Sequence, residues 1–499
     1  QRGGHDPEKV YAAYHEATTH GRAQPTVILA QTVKGYGLGE AGEGRNITHS
    51  QKKLNHEELM AFRSRFGIPV SDDELDETPF YRPADDSPEM KYLKSRRSEM
   101  GGGMPRRQAE PKPQACTTDL MFQDLYEGTG EREVATTMSY VHLLAKLLKD
   151  PEFGQNIVPI VPDEARTFGM ESLFRQAGIY SHVGQLYDPV DKGNLLFYNE
   201  KKTGAILEEG LSEAGSMASF ISAGTAYANN GVNTIPFYTF YSMFGFQRVG
   251  DQIWQACDMK AKGFLIGATA GRTTLAGEGL QHQDGHSHVT AMTPTTVKAY
   301  DPAFAYELGV IIHDGITRMY CHDETWIYYI TVMNENYVHP PLPDDPKVRE
   351  GILKGMYRFS KSTLKSDKKA HLLGSGAILN ESIKAAAVLE EKYGVSADVW
   401  SVTSYKELYR DAVEKERNHL LNPGAEERPW VETELGQETG VFVAASDYMK
   451  VLPASVARWV PGRLHMLGTD GFGRSDSRER LRDFFEVDHR YIVLAALHE

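Results

Sequence analysis

Short apolar or β-branched runs alternate with helix-period segments along most of the chain. Residues 26–33 (TVILAQTV), Ile157–Val161, Gly263–Ala268, 327–332, 372–373 before Gly374, Val441–Ala445 and 491–495 read as strands. Residues 212–229, rich in Ala, Ser, Gly and Met, predict a closely packed helix that stops at Asn229-Asn230-Gly231. Residues 381–393 predict an Ala/Lys/Glu helix closed by Gly394. Strand–helix alternation with two-sided burial means α/β domains with mainly parallel sheets flanked by helices. Open parallel sheets bind ligands at the carboxyl ends of their strands, so the loops after these runs are where chemistry belongs.

Two composition shifts divide the pattern. Residues 91–112 are rich in Gly, Pro and basic side chains and read as a surface linker. The run His339-Pro340-Pro341-Leu342-Pro343-Asp344-Asp345-Pro346 blocks both helix and ladder pairing. The 499 residues therefore suit about three domains. Lys+Arg is 54 and Asp+Glu is 68, a net charge of 54 − 68 = −14, which argues against nucleic-acid and anionic-membrane binding. Three widely spaced cysteines, Cys116, Cys257 and Cys321, exclude a disulfide scaffold and suggest a reducing compartment. No apolar run approaches the ~18 residues that span a bilayer. The chain begins at Gln1 without a signal-peptide pattern and stops just after an apolar run, and both ends read as cut from a longer protein.

Four polar clusters carry candidate chemistry. The first, Lys34 to Ser50, holds Glu43, Arg45, Asn46 and His49 in a Gly-rich stretch. It is either a lid that delivers His49 or a flexible surface loop. The second, Asp163-Glu164-Ala165-Arg166, follows the run Ile157–Val161 and is either an active-site acid group or a capped helix start. The third is Glu213, which either belongs to a helix cap or is a buried acid for proton transfer. The fourth is Gln281-His282-Gln283-Asp284-Gly285-His286-Ser287-His288. Its histidines either converge on a metal, with His286 and His288 on one strand face, or bind an anion and shuttle protons.

The strings GEGRNITHSQKK, IVPDEARTFGMESLFRQ, FYTFYSMFGFQRVGDQIW, GRTTLAGEGLQHQDGHSH, SVTSYKELYRDA and LGTDGFGRSDSRERLR resemble the homodimeric bacterial pyruvate dehydrogenases. These are the thiamine-diphosphate decarboxylating components of the pyruvate dehydrogenase complex. The resemblance runs over essentially the whole chain and implies a thiamine-diphosphate-binding, transketolase-like α/β fold. Residues 1–112 then correspond to the end of the diphosphate-binding domain with its mobile loop and linker. Residues 113–342 correspond to the pyrimidine-binding domain, and 343–499 to a truncated C-terminal domain.

The resemblance also implies roles. Glu213 would hydrogen-bond the aminopyrimidine ring and Phe244 would pack on it. Tyr241, Glu278 and His282 would line the reacting centre, and Glu164 would be an acid near the cofactor. Glu43, Arg45, Asn46 and His49 would sit on the loop that orders over the bound substrate. The expected cofactors are thiamine diphosphate and Mg²⁺. The family's GDG…Asn metal motif has no counterpart in the sequence, so no metal ligand is assigned within the chain and the ligands are expected upstream of Gln1. The implied activity is oxidative decarboxylation of pyruvate with acetyl transfer to the lipoyl group of dihydrolipoyl acetyltransferase. The implied partners are that core with its lipoyl domain and a second copy of the chain, in the cytoplasm. The alternatives are another thiamine-dependent enzyme such as a transketolase, or an inert assembly piece lacking the diphosphate site.

Overall fold

The computed structural model describes residues 3–19, 21, 24–103, 119–152, 154–163, 165–195, 197–424 and 427–498. The chain divides into two compact units, residues 1–106 and 107–499.

The first unit is helical: α1 (Pro7–Thr19), α2 (His56–Phe66) and α3 (Pro88–Glu99). Helix α2 is fixed at both ends. Asn55 and Glu58 form a reciprocal capping box, and Gly67 closes the helix at φ 59°. Residues 88–99 form a helix, not the start of a linker: Ser87 accepts the Met90 N–H and Pro88 occupies the first turn. The strand expected at 26–33 does not form. The described residues of this unit contain no strand to pair with it, and a lone strand leaves its backbone unbonded. Val27 and Leu29 stay exposed, and the Val33 N–H donates to His5 Nε2 at 2.6 Å.

The second unit holds two sheets. The six-stranded sheet contains β1 (Ile157–Val161), β2 (Leu207–Glu208), β3 (Ile235–Tyr241), β4 (Gly263–Ala268), β5 (Val297–Tyr300) and β6 (Ile327–Thr331). Its order is β2-β1-β3-β4-β6-β5, parallel throughout. Every residue of β3, β4 and β6 is buried, as strands covered by helices on both faces require. The five-stranded sheet contains β7 (Tyr357–Ser360), β8 (Lys369–Gly374), β9 (Ser396–Ser401), β10 (Val441–Ala445) and β11 (Leu464–Leu467), in the order β7-β9-β8-β10-β11. Only β7 runs antiparallel. Five helices matter below: α4 (Glu213–Gly224), α5 (Gly245–Asp258), α6 (Ser287–Ala291), α7 (Leu379–Tyr393) and α8 (His489–His498).

The proline-rich run after β6 is a bonded strap. His339 Nδ1 accepts the Ala305 N–H at 2.8 Å, so Nε2 carries the proton and donates to Val134 O at 2.7 Å. The Leu342 N–H bonds Tyr126 O, and Asp345 caps the helix that starts at Pro346. Cys257 is a free thiol, and Cys116 lies outside the described residues.

Residues 491–495, expected as a strand, belong to helix α8. The buried residues are Ile492, Val493, Ala495 and Ala496, while Leu494 and Leu497 are exposed, a helical spacing that packs on α7. Ile492→Ala should cost about 2–4 kcal/mol and Leu494→Ala under about 0.5 kcal/mol in chemical denaturation. A strand would put 492 and 494 on one face, so equal losses would contradict the helix.

Candidate active site

The candidate residues of the second unit lie where strands β2, β3 and β4 end. After β2 the chain turns at Gly210, and Ser212 caps α4 by accepting the Gly215 N–H at 3.0 Å. Ser212 does the capping, which frees the side chain of Glu213, the first helical residue. Its Oε1 accepts from Arg248 Nη1 at 2.6 Å, and only 18% of the side chain is exposed. Strand β3 ends at Tyr241, and Phe244 sits at the start of α5. One turn on, Arg248 lies over the Phe244 ring at 3.8 Å from the centroid. A planar N–H-bearing group seated on Phe244 thus meets Glu213 at hydrogen-bonding distance.

The loop after β4 carries Glu278 and His282. The His282 ring packs 4.7 Å from Tyr241 and 5.3 Å from Phe244, and Phe168 meets the edge of Tyr241 at 5.1 Å. His282 Nδ1 is buried without a hydrogen-bond partner, and Glu278 Oε2 stands 3.9 Å from it. The structure therefore brings Glu213, Tyr241, Phe244, Glu278 and His282 to one end of one sheet.

This loop is clamped by the loops of the five-stranded sheet. Asp447, buried after β10, accepts the N–H and hydroxyl of Thr273 at 2.8 and 2.7 Å and those of Thr274 at 3.0 and 2.6 Å. Gly271 has φ 93° and abuts Asp447 Oδ2 so closely that a Cβ would collide. Arg272 Nη1 donates to Thr469 O and Gly471 O, and Gln283 bridges Leu275 O and the Arg474 N–H.

The three histidines do not converge on a metal. His286 bonds Gln247 at 3.2 Å, and His288 bonds Thr331 at 2.9 Å. His286 and His288 do not share a strand face, because Asp284 accepts the His286 and Ser287 N–H groups and starts α6 there. Among the described residues, the only group of three possible ligands within 4.8 Å is His371, Asp398 and Glu438, with Arg358 against both acids.

Glu164 lies outside the described residues. Its neighbour Arg166 pairs with Asp191, and the following helix starts at Glu171. In the first unit, Glu43 Oε2 accepts the Gly37 N–H at 3.1 Å and Arg65 Nη1 at 2.9 Å, which hold its carboxyl below the usual range. Arg45 and Asn46 are exposed at a short 3₁₀ turn that ends at His49. Lys34 Nζ donates to His49 Nδ1 at 3.3 Å, which leaves the neutral ring's proton on Nε2.

Sequence reasoning missed two groups. Arg248 sits four residues after Phe244, and that spacing on a helix was the available signal. Glu208 ends β2 beside Val161. Burial, with Asp163 and Glu200 nearby, pushes its carboxyl up to about 7, and Oε2 is unpartnered. No pattern marked it.

Residues 116–340 match the family described as pyruvate dehydrogenase E1 component middle domain, and 355–488 match the transketolase-like C-terminal domain. The chain is 54% identical over 502 residues to a pyruvate dehydrogenase E1 component of Pseudomonas aeruginosa, covering 99% of the chain and 56% of that protein. The Escherichia coli (strain K12) relative of the same name is 48% identical, covering 100% of the chain and 56% of that protein. The chain thus spans little more than half the length of these relatives. Transketolase from Campylobacter jejuni shares the fold, with TM-score 0.65 at 16% identity over 100% of this chain and 66% of that one. Transketolase from Leishmania mexicana gives 0.64 at 15% over 98% and 64%.

Asp447→Asn would turn an amide N–H₂ toward donors that now meet a carboxylate oxygen. The expected cost is about 3 kcal/mol in chemical denaturation. An unchanged midpoint would mean that the clamp carries no stability.

Proposed function

The chain belongs to the pyruvate dehydrogenase E1 component family, and on that premise we propose that its second unit carries the pyrimidine-recognising part of a thiamine-diphosphate site. The enzyme decarboxylates pyruvate oxidatively and passes the acetyl group to the lipoyl group of dihydrolipoyl acetyltransferase. The observation that carries this reading is the Arg248 guanidinium, seated over Phe244 with an N–H on Glu213. A flat, nitrogen-bearing ring needs the same platform and the same acid.

Thiamine diphosphate, when bound, supplies the nucleophilic carbon that attacks the pyruvate carbonyl. The chain's residues do the rest. Glu213 holds the proton shared with the ring nitrogen, and Phe244 fixes the plane of the ring. Tyr241 and His282 face the reacting carboxylate and carbonyl, where donors stabilise developing negative charge. Glu278 stands beside that imidazole, 3.9 Å from His282 Nδ1. Glu164 stays assigned through the family resemblance as an acid near the cofactor.

In the domain assignment, 1–112 is the end of the diphosphate-binding domain, 113–342 the pyrimidine-binding domain and 343–499 the C-terminal domain. Glu43, Arg45, Asn46 and His49 form the substrate loop. Mg²⁺ accompanies the diphosphate in this reading, and no residue of this chain is assigned to it. The partners are the acetyltransferase core, its lipoyl domain and a second copy of the chain, in the cytoplasm. No helix among the described residues is long and apolar enough to cross a membrane.

His49 separates the two half-reactions. Opening a lipoyl disulfide needs a proton for the departing thiolate, and a loop imidazole that has taken up a second proton can deliver one from Nε2 and return to its neutral form. In the full-length enzyme, wild type should acetylate a lipoyl domain from pyruvate, with a ketose phosphate unable to replace pyruvate. His49→Ala should nearly abolish that transfer, by ~10²-fold or more, while decarboxylation read with an artificial electron acceptor persists. Parallel loss of both activities would place His49 before decarboxylation. Loss of neither would make it a surface residue.

A further inference from the structure

The Arg248 guanidinium lies where a flat ring on Phe244 would lie, and two planar groups cannot share one stacking face. Helix α5 makes this contact within its own first turn. The Arg248 N–H donates to Phe244 O at 3.0 Å, which sets the two residues four apart on one helical face. Long side chains on a helix lean toward its N-terminus, so the arginine folds back over the ring. Its Cζ stands 3.8 Å from the Phe244 centroid, the spacing of a stacked contact. Tyr241 and His282 stand 5.7 and 5.3 Å from that centroid with their planes turned 75° and 58° from its own, so neither stacks on it.

The same guanidinium occupies the acid. Its Nη1 donates to Glu213 Oε1 at 2.6 Å. Among the described residues, each of these two side chains has its one hydrogen-bond partner in the other. A carboxylate only 18% exposed is costly to leave without a donor, and Arg248 supplies one.

Of the pair, the arginine is the member that can leave. Its side chain is 50% exposed, so it can turn into water. The acid is held from behind. The Tyr238 hydroxyl donates to Glu213 O at 3.2 Å, and Gln252 Nε2 donates to Ala214 O at 3.1 Å, which ties the start of α4 to β3 and α5. Buried Phe246 and Val249 anchor the turn that bears Arg248, so the Arg248 side chain can move without its backbone.

We propose that Arg248 is a displaceable occupant of the cofactor seat: it covers Phe244 and neutralises Glu213 until a ring that stacks on the one and hydrogen-bonds the other takes both places. The proposal rests on the thiamine-diphosphate reading given above and deepens it. Binding the ring costs the arginine its stack and its ion pair, and only a ligand that replaces both contacts offsets that cost. A ligand with a flat face but no hydrogen bond for Glu213, or the reverse, regains one contact and leaves the other lost. Arg248 is in this sense a specificity residue for the pyrimidine end of the cofactor.

Calorimetric titration of the full-length enzyme with thiamine diphosphate and Mg²⁺ compares wild type, Arg248→Ala and Phe244→Ala. Arg248→Ala should bind the cofactor about tenfold more tightly, because the stack and the half-exposed pair no longer compete. Inorganic pyrophosphate with Mg²⁺ has no ring and should bind Arg248→Ala no more tightly than wild type. Unchanged or weaker cofactor binding, or equal tightening of both ligands, overturns the proposal. Phe244→Ala should bind the cofactor at least ~10-fold more weakly. Wild-type affinity in that variant would remove Phe244 from the seat, which is a failure of the underlying reading and not of the displacement alone. If Arg248→Ala does not fold, wild type decides. Phenylglyoxal, an arginine reagent, should label Arg248 several-fold faster with thiamine diphosphate bound than without it, read by peptide mass spectrometry. Equal or slower labelling overturns the proposal.

Discussion

Asp447 anchors the loop that carries Glu278 and His282. Four donors from Thr273 and Thr274 converge on its buried carboxylate, and Arg272 beside them ties to carbonyls after β11. The loop after β4 is long and has little regular structure of its own. The clamp fixes the start of that loop, and Ser475, which donates to Glu278 O at 2.6 Å, holds it further along, so Glu278 and His282 stay by Tyr241 and Phe244. With it, a loop of the six-stranded sheet is built on the framework of the five-stranded sheet, and the two sheets become one site-bearing unit. Residues on a clamped loop can be placed as exactingly as residues on a strand.

Much of this architecture was legible in the sequence. Unbroken apolar runs such as Gly263–Ala268 and Val441–Ala445 can be buried only between two helical layers, and both are inner parallel strands. The small-residue segment after Glu213 is a helix that breaks at Thr225 and ends at Gly231, close to the expected stop. Residues 26–33 and 491–495 went differently for opposite reasons. The first has the composition of a strand and no neighbour to bond. The second has the apolar run of a strand, but α7 offers it a face that suits a helix. Local pattern gives apolarity, and only the partner decides between the two periods.

The candidate site was legible unevenly. Glu213 came from a polar cluster to which the resemblance gave a role, Tyr241, Phe244, Glu278 and His282 came from matched strings, and the fold gathers the five at adjoining strand ends. Arg248 was in the same string as Tyr241 and Phe244 and was not singled out, because its carboxylate partner lies 35 residues away in the chain. Its value comes from the third member, the Phe244 face, which spacing alone does not show. Glu208 was invisible for a deeper reason. Its chemistry comes from missing donors and from burial, both properties of the fold and not of any local string.

Glu213 is proposed as the acid that shares a proton with a flat nitrogen ring seated on Phe244. Exchange of the C2 hydrogen of bound thiamine diphosphate in the full-length enzyme reads that role directly, before any substrate is added. Glu213→Gln keeps an oxygen for the Arg248 hydrogen bond and removes only the charge that holds the proton. The exchange rate should fall by at least ~10²-fold with binding of the cofactor largely kept. An unchanged exchange rate in a variant that still binds the cofactor would contradict the account and reduce Glu213 to the ion-pair partner of Arg248.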